Sequence, residues 1–95
     1  MQLLTKEIRN RLPKLGETNS IEDPVVQVKF FCTWNHWTWF AYEFDQKDIF
    51  FGYVKGDFDE YGTFSLSELE SVKGPMGLWI ERDIHFSPKP VSQCK

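Results

Sequence analysis

The chain has 95 residues, 41% of them hydrophobic and 26% charged, with a formal net charge of -3 and a pI near 5.3. That length predicts one domain with a modest core, burying about 60–65% of the unfolded surface without disulfide or metal staples. The composition excludes a disordered or fibrous chain, and the acidic balance argues against a duplex-DNA binder that works by general phosphate neutralisation.

At the amino terminus, Met1-Gln2-Leu3-Leu4-Thr5-Lys6-Glu7 lacks a positive region followed by an apolar one. No later run approaches the ~20 apolar residues of a membrane span. The expected compartment is the cytoplasm, with no membrane contact. Leu4, Ile8, Leu12 and Leu15 recur at helical spacing, with Thr5 as N-cap and Pro13 closing the pattern, which predicts a short amphipathic helix over 6–12. Gly16 to Asp23 is polar and turn-rich. The β-branched and aromatic run 25–31 then predicts a first strand after Asp23-Pro24.

Thr33-Trp34-Asn35-His36 reads as a hairpin loop, 37–44 as a second strand, Asp45-Gln46-Lys47-Asp48 as a second turn, and 49–55 as a third strand. Connections this short require antiparallel neighbours. Ser65-Leu66-Ser67-Glu68 fits a capping box with Ser65 at N-cap and Glu68 at N3, opening a second short helix that Gly74-Pro75 stops. A rival register makes Ser67 the cap. Leu78-Trp79-Ile80 and Ile84-His85-Phe86 each suit a sheet edge, separated by Glu81-Arg82-Asp83, and 88–95 reads as a flexible tail. Cys32 and Cys94 are accordingly expected as free thiols in a reducing compartment.

Eleven of the 16 aromatic residues fall between Phe30 and Tyr53. Each buried ring removes roughly 150–250 Å² from water, so this is more ring surface than one face of a small sheet can use. Either both faces are covered or some rings stay outside to bind a partner. Trp34, Trp37 and Trp39 are the candidate anchors, because tryptophan is enriched at interface hot spots. Trp34, in the hairpin loop, is the ring least needed by a core; Trp37 and Trp39 share one face by strand alternation, which suits a core equally well.

Residues 57–68 align with the twelve-residue calcium loop of an EF-hand: Asp57 and Asp59 at ligand positions one and three, Gly62 at the turn, Phe64 at the apolar position eight, Glu68 at the bidentate position twelve. Tyr61 breaks the pattern at position five, and an entering strand stands where the motif needs a helix. An acidic loop leading into a capped helix accounts for the same residues. Cys32, His36, His85 and Cys94 are zinc-ligand types without zinc-ligand spacing. Glu68, Glu70, Glu81 and Asp83 offer carboxylates for acid/base work, but no nucleophile–base pair accompanies them. Lys29, Lys47 and Lys55 among the rings suggest a single-strand stacking platform, opposed by Glu43, Asp45 and Asp48.

Taken as an ordered set, Leu4-Thr5-Lys6-Glu7, Asp23-Pro24-Val25-Val26, Val28-Lys29-Phe30-Phe31, Trp37-Thr38-Trp39-Phe40, Phe50-Phe51-Gly52, Phe64-Ser65-Leu66-Ser67-Glu68-Leu69-Glu70 and Gly77-Leu78-Trp79-Ile80-Glu81-Arg82-Asp83 resemble the bacterial family called domain of unknown function 2958. The resemblance runs from Leu3 to about Pro90. It implies a small stand-alone bacterial protein of a kind often carried on plasmids, integrative elements or phages, and it brings no catalytic residue, substrate or cofactor with it. It also makes 62–70 a family block, which leaves Asp57 and Asp59 as local additions that complete an EF-hand pattern by accident.

The sequence therefore predicts an α+β domain, an antiparallel meander of three to five strands with two short helices packed on it. Its expected role is that of a non-enzymatic accessory or protein-binding module of a mobile element, with another protein as partner and no cofactor. Calcium binding through 57–68 and a small carboxylate-based enzyme are the alternatives. A deep pocket holding two of Glu68, Glu81, Arg82, Asp83 and His85 would favour the enzyme.

Overall fold

The computed structural model describes residues 2–95; Met1, the first residue of the segment read for a leader, lies outside them. Thr5 accepts the Ile8 amide at 3.2 Å and opens helix α1, Lys6–Arg11, which ends at Leu12 because the residue before Pro13 is driven out of the helical region. Leu15, placed on the same apolar face by spacing, lies past the helix and is 42% exposed. The predicted first strand divides at Gln27 into β1, Val25–Val26, and β2, Val28–Cys32. Strands β3, Thr38–Phe44, and β4, Ile49–Lys55, follow as expected, each antiparallel to its predecessor in the sheet.

The next strand, β5 at Asp59–Ser65, falls inside the stretch read as a calcium loop. It pairs along its whole length with β4, from Ile49 opposite Ser65 to Lys55 opposite Asp59. A strand rises about 3.3 Å per residue, so its ends stand roughly 20 Å apart and no ion can be wrapped between Asp59 and Glu68. The EF-hand reading is overturned on that geometry. Its source is the edge position of β5, where Asp59, Glu60 and Tyr61 face solvent and leave little apolar alternation to betray a strand.

Helix α2, Leu66–Ser71, starts at the Ser65 cap, whose hydroxyl accepts the Glu68 amide at 3.2 Å. After it come a short turn of helix at Pro75–Gly77 and strand β6, Ile80–Arg82, antiparallel to β2. The edge strand thus includes Glu81 and Arg82, read as a separator; charge is tolerated where one strand flank meets water. Residues 84–86 form a turn instead of pairing, with the Phe86 amide returning to the Asp83 carbonyl at 3.2 Å. The main sheet runs β5-β4-β3-β2-β6.

Residues 88–95 are not a free tail. Strand β7, Lys89–Pro90, pairs with β1, and Val91 and Cys94 are buried in the turn of helix that follows. The Ser92 amide and hydroxyl both donate to Asp23, at 3.0 and 2.6 Å. This segment answers the question raised by the aromatic excess, because it covers the second face of the sheet. One face packs Phe30, Phe44 and Phe50 against Leu3, Leu4, Leu12, Leu66 and Leu69; the other packs Phe40, Tyr42 and Tyr53 against Val26, Val91 and Cys94. A register shift between Ala41 and Glu43 inserts Tyr42 as a bulge, which leaves Tyr42 on the second face with Phe40 but turns Phe44 to the first. Each buried side chain of this size contributes about 1.5–3 kcal/mol. Among the described residues no helix is long and apolar enough to cross a membrane.

Candidate functional site

The three tryptophans named from the sequence are all half-buried and packed against the helical-face cluster. Trp34 does sit in the β2–β3 loop, but its ring lies flat against Gly74, so close that a Cβ there would meet it at 2.7 Å. Trp37 covers Gly56 in the same way, at 2.5 Å, and its ring centroid lies 6.0 Å from that of Trp39. These rings use part of their surface to hold two loops in place and leave the rest at the surface.

The loop that Trp34 supports carries the most exposed large apolar side chain among the described residues, Met76. Gly74 donates to the Leu78 carbonyl at 2.7 Å and Leu78 to the Pro75 carbonyl at 3.1 Å, closing a tight turn with Met76 and Gly77 both left-handed, at φ of 58° and 78°. A left-handed non-glycine residue costs energy. Here it projects Met76 fully into solvent, with Leu78 39% and Trp79 51% exposed beside it. Between this turn and the end of α2 lies a groove of about 470 Å³ walled by Leu3, Val72, Leu78, Trp79 and Ile80, with Glu70 and Lys73 at its rim.

The groove runs into β6, one of the two edge strands of the sheet, whose far edge meets no other strand among the described residues. The Thr33 hydroxyl donates to the Trp79 carbonyl at 3.2 Å, and the Arg82 guanidinium reaches the Gln2 and Leu3 carbonyls at 2.5 and 3.1 Å, so both ends of β6 are braced. Sequence reasoning saw Leu78-Trp79-Ile80 only as strand. The missed signal is that three apolar residues, Met76, Leu78 and Trp79, sit on and just after a Gly/Pro turn, where no period buries them all.

The other candidates separate in space. Cys32 and Cys94 belong to opposite faces and are free thiols, each pushed up in pKa by burial. His36 lies 3.5 Å from Asp57 at the β4–β5 turn, while His85 donates its amide to Asp83 at 2.9 Å. Among the described residues no three Asp, Glu, His or Cys side chains converge as metal ligands. Glu68 and Glu70 are exposed on α2. Arg82 and Asp83 border one open cleft of about 250 Å³, and Asp83 and His85 another of about 420 Å³, but Asp83 is already engaged by Lys29 at 3.5 Å.

Glu43, named from the sequence only as an acid opposing a nucleic-acid backbone, is a buried clamp. It is 3% exposed and accepts the Gly16 amide at 2.9 Å, the Thr18 amide at 3.0 Å and the Thr18 hydroxyl. Burial by itself would raise its pKa; the Thr18 hydroxyl and the Gly16 and Thr18 amides outweigh it and hold the carboxyl below the ordinary glutamate value. Burial, followed by the charges of Tyr61 and Glu43, pushes the neighbouring Tyr42 phenol up to about 12. Since both Glu43 oxygens are occupied by the 16–18 loop, this carboxylate fastens that loop to β3 and is not placed to act as a base. A glutamate between Tyr42 and Phe44 in a strand was the legible sign.

The family described as Protein of unknown function (DUF2958) matches residues 3–93. No curated protein and no solved structure matches the chain.

Proposed function

From the premise that the chain belongs to the DUF2958 family, we propose that it is a non-enzymatic binding module, an accessory of a bacterial mobile element, that holds a short extended apolar segment of another protein against β6. One observation carries the reading: the exposed side chains of Leu78 and Trp79 wall an apolar groove beside the sheet edge formed by β6, with Met76 fully exposed on the adjoining turn. Apolar side chains exposed together are a mark of interaction surfaces. An open edge supplies main-chain donors and acceptors to an added strand, while a flanking groove selects its side chains. The mixed rim of Glu70 and Lys73 favours neither charge, so the expected segment is apolar and close to neutral. Trp34, behind Gly74, and the Trp37–Trp39 pair enter as outer contacts of the same partner.

Selection from a random peptide library on the intact protein tests this. Enriched peptides should alternate apolar residues over four to six positions, and Trp79→Ala should weaken them at least tenfold while the melting temperature holds. Enrichment of helical or strongly charged peptides, or binding indifferent to Trp79→Ala in a folded variant, would refute it.

A further inference from the structure

On the opposite side of the molecule, β2, the 83–88 turn and β7 enclose a cleft of about 420 Å³ with mostly polar walls, to which Lys29, His85, Phe86, Lys89 and Gln93 contribute. We propose that this cleft binds a phosphate group. Volumes of about 300–1,000 Å³ hold small ligands, and walls this polar suit a charged ligand better than an apolar one.

The cations here are placed, not merely present. The Lys29 ammonium stands 5.8 Å from the Phe40 ring centroid and that of Lys89 5.3 Å from the Phe86 centroid. Ring faces attract an ammonium without neutralising it. Lys29 shares its charge with Asp83 at 3.5 Å, whereas Lys89 has no carboxylate within ion-pair distance among the described residues. Two lysines against one aspartate leave the cleft positive on a chain whose net charge is -3. Lys95, above Tyr53 and Tyr61 at 5.3 and 4.7 Å, adds to the same face. At the Cys94 thiol in the cleft wall, where burial is the largest influence, the fields of Lys89, Lys29 and Lys55 are felt against that of Asp23.

Phosphate fits better than a carboxylate because the donors come from separate elements: an ammonium on β2, another on β7, the His85 imidazole on the turn and the Gln93 amide beyond β7. Such a set surrounds a tetrahedral group of oxygens, and lysine serves there as a point charge. The phosphate is either the free ion or part of an organic ester whose remaining atoms lie against the half-buried Phe86.

Amide NMR titrations of the intact protein distinguish these sources, using inorganic phosphate, adenosine 5′-monophosphate and adenosine as probes. Saturable shifts are expected at 83–89 and at Gln93 with a dissociation constant below about 1 mM. Inorganic phosphate alone sufficing identifies the free ion; a tighter response to the monophosphate, including Phe86, identifies an ester. Lys89→Gln should weaken binding about tenfold, Lys89→Arg should restore it, and Lys47→Gln, at the β3–β4 turn, should leave it unchanged. Equal shifts with adenosine, no saturation with either phosphate probe, or wild-type affinity in a folded Lys89→Gln variant would overturn the proposal.

Discussion

The Ser65 hydroxyl donates to the Asp48 carboxylate at 2.5 Å, 17 positions away in the chain. The same carboxylate accepts the Ser67 amide at 2.8 Å and its hydroxyl at 2.9 Å, and the Asp48 carbonyl accepts the Leu66 amide at 2.8 Å. The β3–β4 turn therefore joins the Ser65 cap in holding the start of α2, a partner from across the chain that the local Ser65–Glu68 capping box does not contain. An aspartate at a helix amino terminus also meets the positive end of the helix dipole.

Ser65→Ala should cost about 0.5–2 kcal/mol, the usual effect of removing an N-cap. Ser67→Ala should cost less, because its amide keeps Asp48. Asp48→Ala should destabilise more than Ser67→Ala, since it strips every side-chain acceptor but Ser65 from the terminus. Urea titration of the three variants gives the order, and a larger loss for Ser67→Ala would move the cap to position 67.

Glu43 makes stability sensitive to acid. Its folded pKa lies below the ordinary 4.5, so its contribution is full above that value and is lost as the pH falls through the folded pKa. Asp23, Asp45 and Asp48 are lowered too, through hydrogen bonds led by Ser92, the Ile49 amide and Ser65 respectively, and add in the same direction. The melting temperature should be flat above about pH 5 and fall below it. Glu43→Gln sets an amide NH₂ against the Gly16 and Thr18 donors; it should cost about 1.5–3 kcal/mol near neutrality and soften the acid slope. A slope unchanged by this substitution would show that the 16–18 clamp is not what acid releases.

The parts of the fold that the sequence shows are those set by local rules: the Thr5 and Ser65 caps, the short turns at 33–36 and 45–48, and the strands with strong β-branched and aromatic content. The parts it hides are set by what lies across the chain. Strand β5 is an edge whose polar residues face water, so nothing in Glu60-Tyr61-Gly62-Thr63 announces a strand until Ile49–Lys55 pairs with it. The last residues look like a tail because only Val91 and Cys94 are apolar there, yet those two are what the second sheet face lacked. The groove was hidden for the reverse reason, since exposure of Met76 and Trp79 is invisible to any periodicity.

Trp34 and Gly74 should behave as one unit. With its ring on Gly74 and its edge in the helical-face cluster, Trp34→Ala is expected to cost more than about 1 kcal/mol, beyond the mild range of free surface residues. Gly74 has an extended φ of -93°, so Gly74→Ala carries no backbone penalty, only a clash of the new methyl with the ring. That overpacking should cost about 1–3 kcal/mol. In a Trp34→Ala background the clash disappears, and the double-mutant cycle should show a coupling above about 0.5 kcal/mol. Additive losses would separate the ring from the loop.

The carboxy-terminal residues should matter for stability as core residues do. Val91 is 3% exposed among Val26, Phe40, Tyr42 and Tyr53, and its amide donates to the Pro24 carbonyl at 2.9 Å. Val91→Ala removes two methyl groups at about 0.8 kcal/mol each and leaves a small cavity, for a loss of about 2 kcal/mol. Ser92→Ala should loosen the segment more gently, because the hydroxyl bond to Asp23 goes while the amide bond stays. Hydrogen exchange at Cys94, whose amide donates to the Val91 carbonyl at 2.9 Å, reads the local effect. Protection at Cys94 that is already absent in the parent protein, together with an unchanged denaturation midpoint for Val91→Ala, would mean that the second sheet face is held by Phe40, Tyr42 and Tyr53 alone.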